Sequence, residues 1–256
     1  MILKEIIEYK KKELEERKSK VPLENLLEKI RRLPPVRDFK AALTGNGLSL
    51  IAEIKKASPS AGVIREDFDP VSIARIYEEN GTSAISVITE EKYFQGSLNY
   101  LTRVKENVSL PVLRKDFIFD DYQIYESRAA GADAILLIVA ALNYFKLERL
   151  EKLAREYGLQ VLVEVHNEKE LFEVLGLGFE MIGLNNRNLH DFTVNTEITF
   201  RLAKMIPSNR VVVSESGISS REDVLKLENS NVNAILVGEA LMKSRDIGEK
   251  VRELLG

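Results

Sequence analysis

Residues 131–166 read GADAILLIVAALNYFKLERLEKLAREYGLQVLVEVH, and this stretch holds one full repeat of the architecture. Ala134–Val139 is an apolar run with no charge in it, as expected of a strand buried on both faces of a parallel sheet. Tyr144–Tyr157 follows with charges and leucines at helical spacing, and Gly158 stands where that helix should stop. Val161–Val165 is a second apolar run. Strand, helix and strand joined by short connections make a right-handed βαβ unit.

The same alternation extends in both directions. Apolar runs occur at Leu48–Ile54, Ala84–Thr89, Pro111–Leu113, Ala134–Val139, Val161–Val165, Met181–Leu184, Val211–Ser214 and Ala234–Val237. Helix-period stretches follow them at Pro70–Asn80, Leu98–Asn107, Tyr122–Ala130, Tyr144–Tyr157, Glu168–Leu175, Glu197–Met205, Ser220–Glu228 and Ile247–Leu255. Eight such units in 256 residues predict an α/β fold, a closed (β/α)8 TIM barrel, with an open doubly wound sheet as the alternative. No linker-like break divides the chain, so residues 1–256 read as a single barrel domain. Residues 1–45 form an N-terminal helical extension, with Ile2, Ile6 and Ile7, then Leu23, Leu26, Leu27 and Ile30, at helical spacing before Pro34-Pro35.

Composition narrows the function. The chain has no cysteine and two histidines, which argues against thiolate chemistry, cysteine-bound zinc and multi-histidine metal sites. A net charge of -3, from 37 basic and 40 acidic residues, shows no nucleic-acid or membrane footprint. The first residues lack the apolar segment of a signal peptide, and no apolar run is long enough to span a bilayer, so a cytoplasmic location is expected. There is no P-loop and no GxGxxG.

In a barrel, alternate side chains of a strand point into the lumen, and catalytic groups gather where strands end. The first strand reads LIAEIKKASPS over 50–60, so Ile51, Glu53 and Lys55 share a side. A surface charge pair is the bland alternative, but Glu53 interrupts an apolar run, and an unpaired buried charge costs several kcal/mol. In PVLRKDF (111–117), Lys115 shares the face of Leu113 and Arg114 takes the other; a solvated loop lysine is the alternative. In VLVEVH (161–166), Glu164 shares the face of Leu162. His166 continues that parity but falls in the loop and reads as a structural or rim residue, and His190 as a solvated one. NNRN places Asn185 at a strand end, followed by Arg187, to orient hydroxyls or to cap a loop. SESGIS (214–219) and LVGEALM (236–242) put Gly217 and Gly238 just past the seventh and eighth strands, where backbone N–H groups approach an anion, with Glu239–Lys243 as a short extra helix.

Taken in order, IAEIKKASPSAG, ISVITEEKYFQGS, LRKDF, GADAILLIVA, LVEVH, IGLNNRNL, VVSESGI and AILVGEALM span 51–242, and with them the chain resembles the indole-3-glycerol phosphate synthases. The resemblance implies a lyase of tryptophan biosynthesis that closes the pyrrole ring of 1-(2-carboxyphenylamino)-1-deoxyribulose 5-phosphate, releasing carbon dioxide and water. It implies no cofactor and no metal. It gives Lys115 as general acid and Lys55 as a second cation that holds the substrate carboxylate. Glu164 becomes the general base, with Glu53 sharing that work and Asn185 positioning substrate. Arg187 and Ser58 become substrate contacts, and Phe94, Phe117 and Leu136 the pocket for the aromatic ring. Ser216, Gly217, Gly238 and Glu239 match the phosphate loops. Asn188 stands where some relatives carry Asp, which removes a charge partner for Arg187. The partner expected is the small phosphorylated substrate, with no nucleic acid and no membrane. Oligomeric state is left open, with a monomer as the working expectation. A sugar-phosphate isomerase would share the phosphate loops but would not need Glu53, Lys55, Lys115 and Glu164 together. A silent binding barrel would not retain all four.

Overall fold

The computed structural model describes residues 2–45, 47–189 and 191–256, so the reading of His190 lies outside the described residues. The barrel strands are β1 Ser49–Ile54, β2 Ala84–Ile88, β3 Val112–Lys115, β4 Ala134–Ile138, β5 Gln160–Val165, β6 Met181–Asn185, β7 Val211–Glu215 and β8 Ala234–Val237. Each pairs in parallel with the next, and β1 pairs with both β2 and β8, so the sheet closes and the open-sheet alternative falls away. The crossing helices are α4 Pro70–Glu79, α5 Leu98–Asn107, α6 Asp121–Ala130, α7 Tyr144–Glu156, α8 Glu168–Leu177, α9 Glu197–Ala203, α10 Arg221–Glu228 and α12 Ile247–Leu255, with the short α11 Glu239–Lys243 before the last.

Strand parity divides the core into two layers. Ile51, Leu113, Leu136, Leu162, Met181, Val213 and Leu236 fill the lumen. Their neighbours Ala52, Val112, Leu137, Val163, Ile182, Val212 and Ile235 pack outward against the helices. The floor is closed by α3 Phe39–Ala42 and the turn after it: Phe39 and Leu43 are fully buried with Ala84, Ala134, Met181, Val211 and Ala234, all first residues of strands. Packed side chains below leave only the upper end of the lumen for chemistry.

β3 continues two residues past the apolar run that marks it in the sequence. Arg114 is fully buried in the helix layer, its guanidinium paired with Asp116 at 2.9 Å and Glu126 at 2.8 Å and donating to Thr89 Oγ1 at 3.0 Å and Ser127 Oγ at 3.0 Å. Charge ends an apolar run in sequence, but a paired and hydrogen-bonded cation does not end a strand.

The N-terminal extension is α1 Ile2–Lys20 and α2 Leu23–Arg31, followed by α3. Lys10 of α1 is buried against Asp116 at 2.8 Å, and Arg17 pairs with Glu126 at 3.2 Å and with Glu91 at 2.7 Å. These contacts fasten α1 to α6 and to the loops after β2 and β3, where Ile2, Leu3 and Ile6 help line a cavity at the C-terminal ends of the strands. Among the described residues, no helix is long and apolar enough to cross a membrane, and no group of His, Cys, Asp or Glu side chains could hold a metal ion.

The floor generates a test. Phe39 is fully buried and touches the ends of several strands at once, so Phe39→Ala leaves a cavity that those strands cannot fill. Equilibrium urea unfolding should show a loss of about 3–5 kcal/mol. A loss below about 1 kcal/mol would mean the floor does not close the core.

Candidate active site

A cavity of about 480 Å³ opens at the C-terminal ends of the strands. That size suits a small-molecule site. It is lined by all of Glu53, Lys55, Ser58, Phe94, Lys115, Phe117, Leu136, Glu164, Asn185, Arg187, Ser216, Gly217, Gly238 and Glu239, so every site residue singled out in the sequence comes together in one place.

Parity puts the charges there. Glu53 follows Ile51 into the lumen and is 3% exposed, with Lys55 Nζ 2.9 Å from its Oε2. Tyr77 of α4, fully buried, donates to the Glu53 carbonyl oxygen at 3.0 Å and fixes that end of β1. Lys115 follows Leu113 inward, and its Nζ lies 3.2 Å from Glu164 Oε2 and 3.2 Å from Glu215 Oε2. Glu164 and Glu215 are each 1% exposed. Burial works against the Lys115 ammonium, but Glu215, Glu164 and Glu53 together outweigh it and hold the lysine well above its ordinary range.

The two carboxylates on Lys115 are pushed apart. Burial opposes charge on Glu164, yet Lys115, His166 and the Asn185 amide outweigh it and hold Glu164 well below the usual carboxylate range. Burial dominates at Glu215, Glu164 and Glu53 add repulsion, and Lys115 offsets only part, so Glu215 is pushed up to about 7. A pair of carboxyls with opposed shifts is the arrangement that separates an ionised base from a proton-carrying acid.

Glu215 escapes a reading that concentrates on the glycine of SESGIS. The parity that finds Glu53 and Glu164 also finds it: Val211, Val213 and Glu215 alternate into the lumen, and Glu215 is the last residue of β7. Two glycines make room for these carboxylates. A Cβ on Gly183 of β6 would lie 2.3 Å from Glu215 Oε1, and one on Gly238 would lie 2.2 Å from Glu53 Oε2. Gly238, expected to open the backbone to an anion, therefore also clears space for Glu53.

Asn185 Oδ1 accepts from Arg187 N at 2.9 Å and from Ser216 Oγ at 2.9 Å, which turns its amide nitrogen toward Glu164. Arg187 donates to Phe192 O at 3.3 Å and lies 3.4 Å from Glu239 Oε2, so Glu239 serves it as a charge partner. The Glu239 carboxylate is also held by Lys243 Nζ at 2.6 Å, chiefly through which its pKa is lowered. Ser216 (φ 68) and Gly217 (φ 83) both adopt left-handed backbone between β7 and α10. Phe94 and Phe117 face each other at 6.3 Å with Leu136 in the adjoining wall. The Phe94 loop is anchored by the buried Glu90 carboxylate, which accepts from Tyr93 N at 2.7 Å and Phe94 N at 3.0 Å. Ser58 is buried in a two-strand hairpin, Ala57–Ser58 with Gly62–Val63, and its Oγ accepts from Ala61 N at 3.2 Å. Leu189, Phe192 and the α1 residues also line the cavity and carry no polar signal by which sequence could mark them.

His166 is not among the residues that line the cavity but touches one that is, Glu164. Its Nε2 is 3.2 Å from Glu164 Oε1 and its Nδ1 is 3.2 Å from Glu170 Oε2.

The glycine contact generates a test. Gly183→Ala should force the Glu215 carboxylate off its position and destabilise the protein by about 1–3 kcal/mol. In a Glu215→Ala background the same change should cost little, because the colliding group is gone. Equal costs in both backgrounds, measured by denaturant unfolding, would show that the two positions do not meet.

The family model described as "Indole-3-glycerol phosphate synthase" matches residues 3–254. An indole-3-glycerol phosphate synthase of Alkaliphilus metalliredigens is 49% identical over 255 residues, covering 99% of this chain and 98% of that one. One from Dehalococcoides mccartyi (strain CBDB1) is 52% identical over 259 residues, covering 100% of both. Among solved structures, a mutant tryptophan synthase alpha-subunit from Pyrococcus furiosus superposes with a TM-score of 0.62 at 18% identity, covering 81% of this chain and 97% of that one, a likeness of fold alone. Family model, full-length relatives and the closed barrel agree, and the chain belongs to the indole-3-glycerol phosphate synthase family.

Proposed function

We propose that this chain closes the pyrrole ring of 1-(2-carboxyphenylamino)-1-deoxyribulose 5-phosphate, with Lys115 as general acid and Glu164 as general base. Family membership makes it a lyase of tryptophan biosynthesis. The observation that carries the residue roles is the single ammonium of Lys115 set 3.2 Å from two buried carboxyls whose proton affinities diverge.

The aromatic carbon bearing the substrate carboxylate attacks the ribulose carbonyl carbon, and the carbonyl oxygen gains negative charge. Lys115, protonated throughout the neutral range, gives its proton to that oxygen, which becomes a far stronger base than the amine as the bond forms. Loss of carbon dioxide then restores the aromatic ring. Water leaves in the last step, which needs a base for the ring proton and an acid for the departing hydroxyl. Glu164, held ionised, is the base; Glu215, pushed up to about 7 and 3.2 Å from Lys115 Nζ, is placed to return a proton to the lysine between steps. Lys55, paired with Glu53 at 2.9 Å, is placed to take the substrate carboxylate, and Glu53 holds that cation in the lumen.

The remaining contacts follow from position. The left-handed backbone at Ser216 and Gly217, with Gly238 and the start of α11, supports a phosphate site between the seventh and eighth strands. Phe94, Phe117 and Leu136 form an apolar wall suited to an aromatic ring. Arg187 and Asn185 orient the ribulose hydroxyls, and Ser58 adds a polar contact from the hairpin.

Indole fluorescence on mixing purified enzyme with the substrate tests the reaction itself, and absence of an indole product would refute it. Lys115→Ala should lower kcat by at least ~10²-fold with a smaller change in KM. A near-wild-type rate would hand the proton to Lys55 or water. Glu164→Gln and Glu53→Gln should each lose activity, and together should lose less than the product of the single effects, since groups in one network are non-additive. Strict multiplicativity would separate the two carboxylates.

A further inference from the structure

His166 sits between two carboxylates on different elements. Glu164 precedes it by two residues on β5, and Glu170 is in the first turn of α8. The Glu170 side chain is itself pinned: its Oε2 accepts from His166 N at 2.8 Å and its Oε1 from Asn167 Nδ2 at 2.7 Å. In return Asn167 Oδ1 caps α8 by accepting from Glu170 N at 3.0 Å. The start of the helix therefore fixes Glu170, and Glu170 fixes the imidazole through the 3.2 Å contact at Nδ1. The far nitrogen, Nε2, is shielded from solvent and lies 3.2 Å from Glu164 Oε1, off the line of a straight hydrogen bond.

We propose that His166 is a positioning residue for Glu164: clamped by Glu170 as an imidazolium, it fixes the carboxylate in the barrel mouth and keeps it ionised. This rests on the reading of Glu164 as the base. A neutral ring that donates from Nδ1 to Glu170 would turn its Nε2 lone pair on the oxygens of Glu164, an arrangement of two acceptors. A proton on both nitrogens removes that conflict. The charged groups around the pair are Glu164 on its own strand, Glu170 from α8, and, beyond Glu164, Lys115 from β3 and Glu215 from β7. Burial opposes the imidazolium, but Glu164 and Glu170 outweigh it and lift His166 to about 10. A raised value means that the cation, and the anchoring it gives, is present below that pH and is lost as pH rises through it.

This arrangement spreads control of Glu164 over two cations with different duties. Lys115 must give up its proton during the reaction, and at that moment its pull on Glu164 weakens. His166 takes no proton away and keeps its charge throughout, so Glu164 stays ionised and in place for the dehydration.

The chain has only two histidines, which makes the test direct. Imidazole ¹H–¹³C correlations of the whole enzyme, with His190→Gln for assignment, should show His166 as imidazolium up to about pH 9, with its midpoint lowered by at least about one unit in Glu170→Gln. His166→Gln should lower kcat at least 10-fold with KM changed less than 3-fold, and should move the acid limb of the kcat–pH profile upward, as Glu164 loses a cation. A purely structural role would lower thermal stability and leave that limb where it was. A His166 resonance that titrates near its ordinary value and ignores Glu170→Gln overturns the proposal, as does a wild-type kcat and limb in folded His166→Gln. If His166→Gln does not fold, the Glu170→Gln resonance shift decides alone. Full activity of Glu164→Gln would instead remove the base reading beneath it, whereas an inactive Glu164→Gln with a wild-type profile for His166→Gln removes this inference only.

Discussion

One ammonium shared by buried carboxylates at the mouth of a packed lumen is the constraint on which the site depends. At 3.2 Å, an attraction worth roughly 1 kcal/mol in water becomes roughly 5 kcal/mol at an effective dielectric near 20, and the desolvation of each ion is of comparable size. Neither term can be left unmatched. Lys115 without Glu164 and Glu215 would shed its proton, and those carboxylates without Lys115 would take protons up. The surrounding residues answer to this balance. Gly183 and Gly238 lack side chains where the Glu215 and Glu53 carboxylates need the space. Asn185 aims its amide at Glu164 because its oxygen is already committed to Arg187 N and Ser216 Oγ.

A second layer of charge holds the backbone that carries Lys115. On either side of it in sequence, Arg114 and Asp116 point away from the lumen and pair with each other, with Glu126 and with Lys10 of α1. Asp116 also accepts from Thr89 Oγ1 at 2.6 Å and from Phe117 N at 2.8 Å, joining the ends of β2 and β3 to the aromatic wall. Burial opposes charge on Asp116, but Lys10 and Arg114 outweigh it and keep the carboxylate well below its ordinary range. The N-terminal extension thus contributes more than apolar cover: its Lys10 neutralises Asp116, the residue next to Lys115.

The barrel was legible in the sequence because each strand is buried on both faces and each crossing helix is charged on one. Glu53, Lys115 and Glu164 were legible because charge at lumen parity near a strand end has few bland explanations. Glu215 obeys the same rule and was obscured by the glycine beside it. The extent of β3 was not legible, since Arg114 looks like the end of a run until Asp116 and Glu126 are seen in the helix layer. The role of His166 needed the helix cap that orients Glu170, a contact set by the turn after β5 and invisible to strand parity. Likewise Ile2, Leu3 and Ile6 read as one stripe of an extension, and only the docking of α1 through Lys10 and Arg17 brings them to the cavity.

The two carboxyls on Lys115 differ in state, Glu164 ionised and Glu215 carrying a proton up to about pH 7. Infrared difference spectra of the substrate-free enzyme across this pH range, with isotope-labelled glutamate, report that directly through the carbonyl stretch of a buried carboxylic acid. Such a band is expected below about pH 7, retained with a lower midpoint in Glu164→Gln, which removes a repelling charge, and absent in Glu215→Gln. A band that survives in Glu215→Gln and vanishes in Glu164→Gln would reverse the two assignments and contradict this expectation.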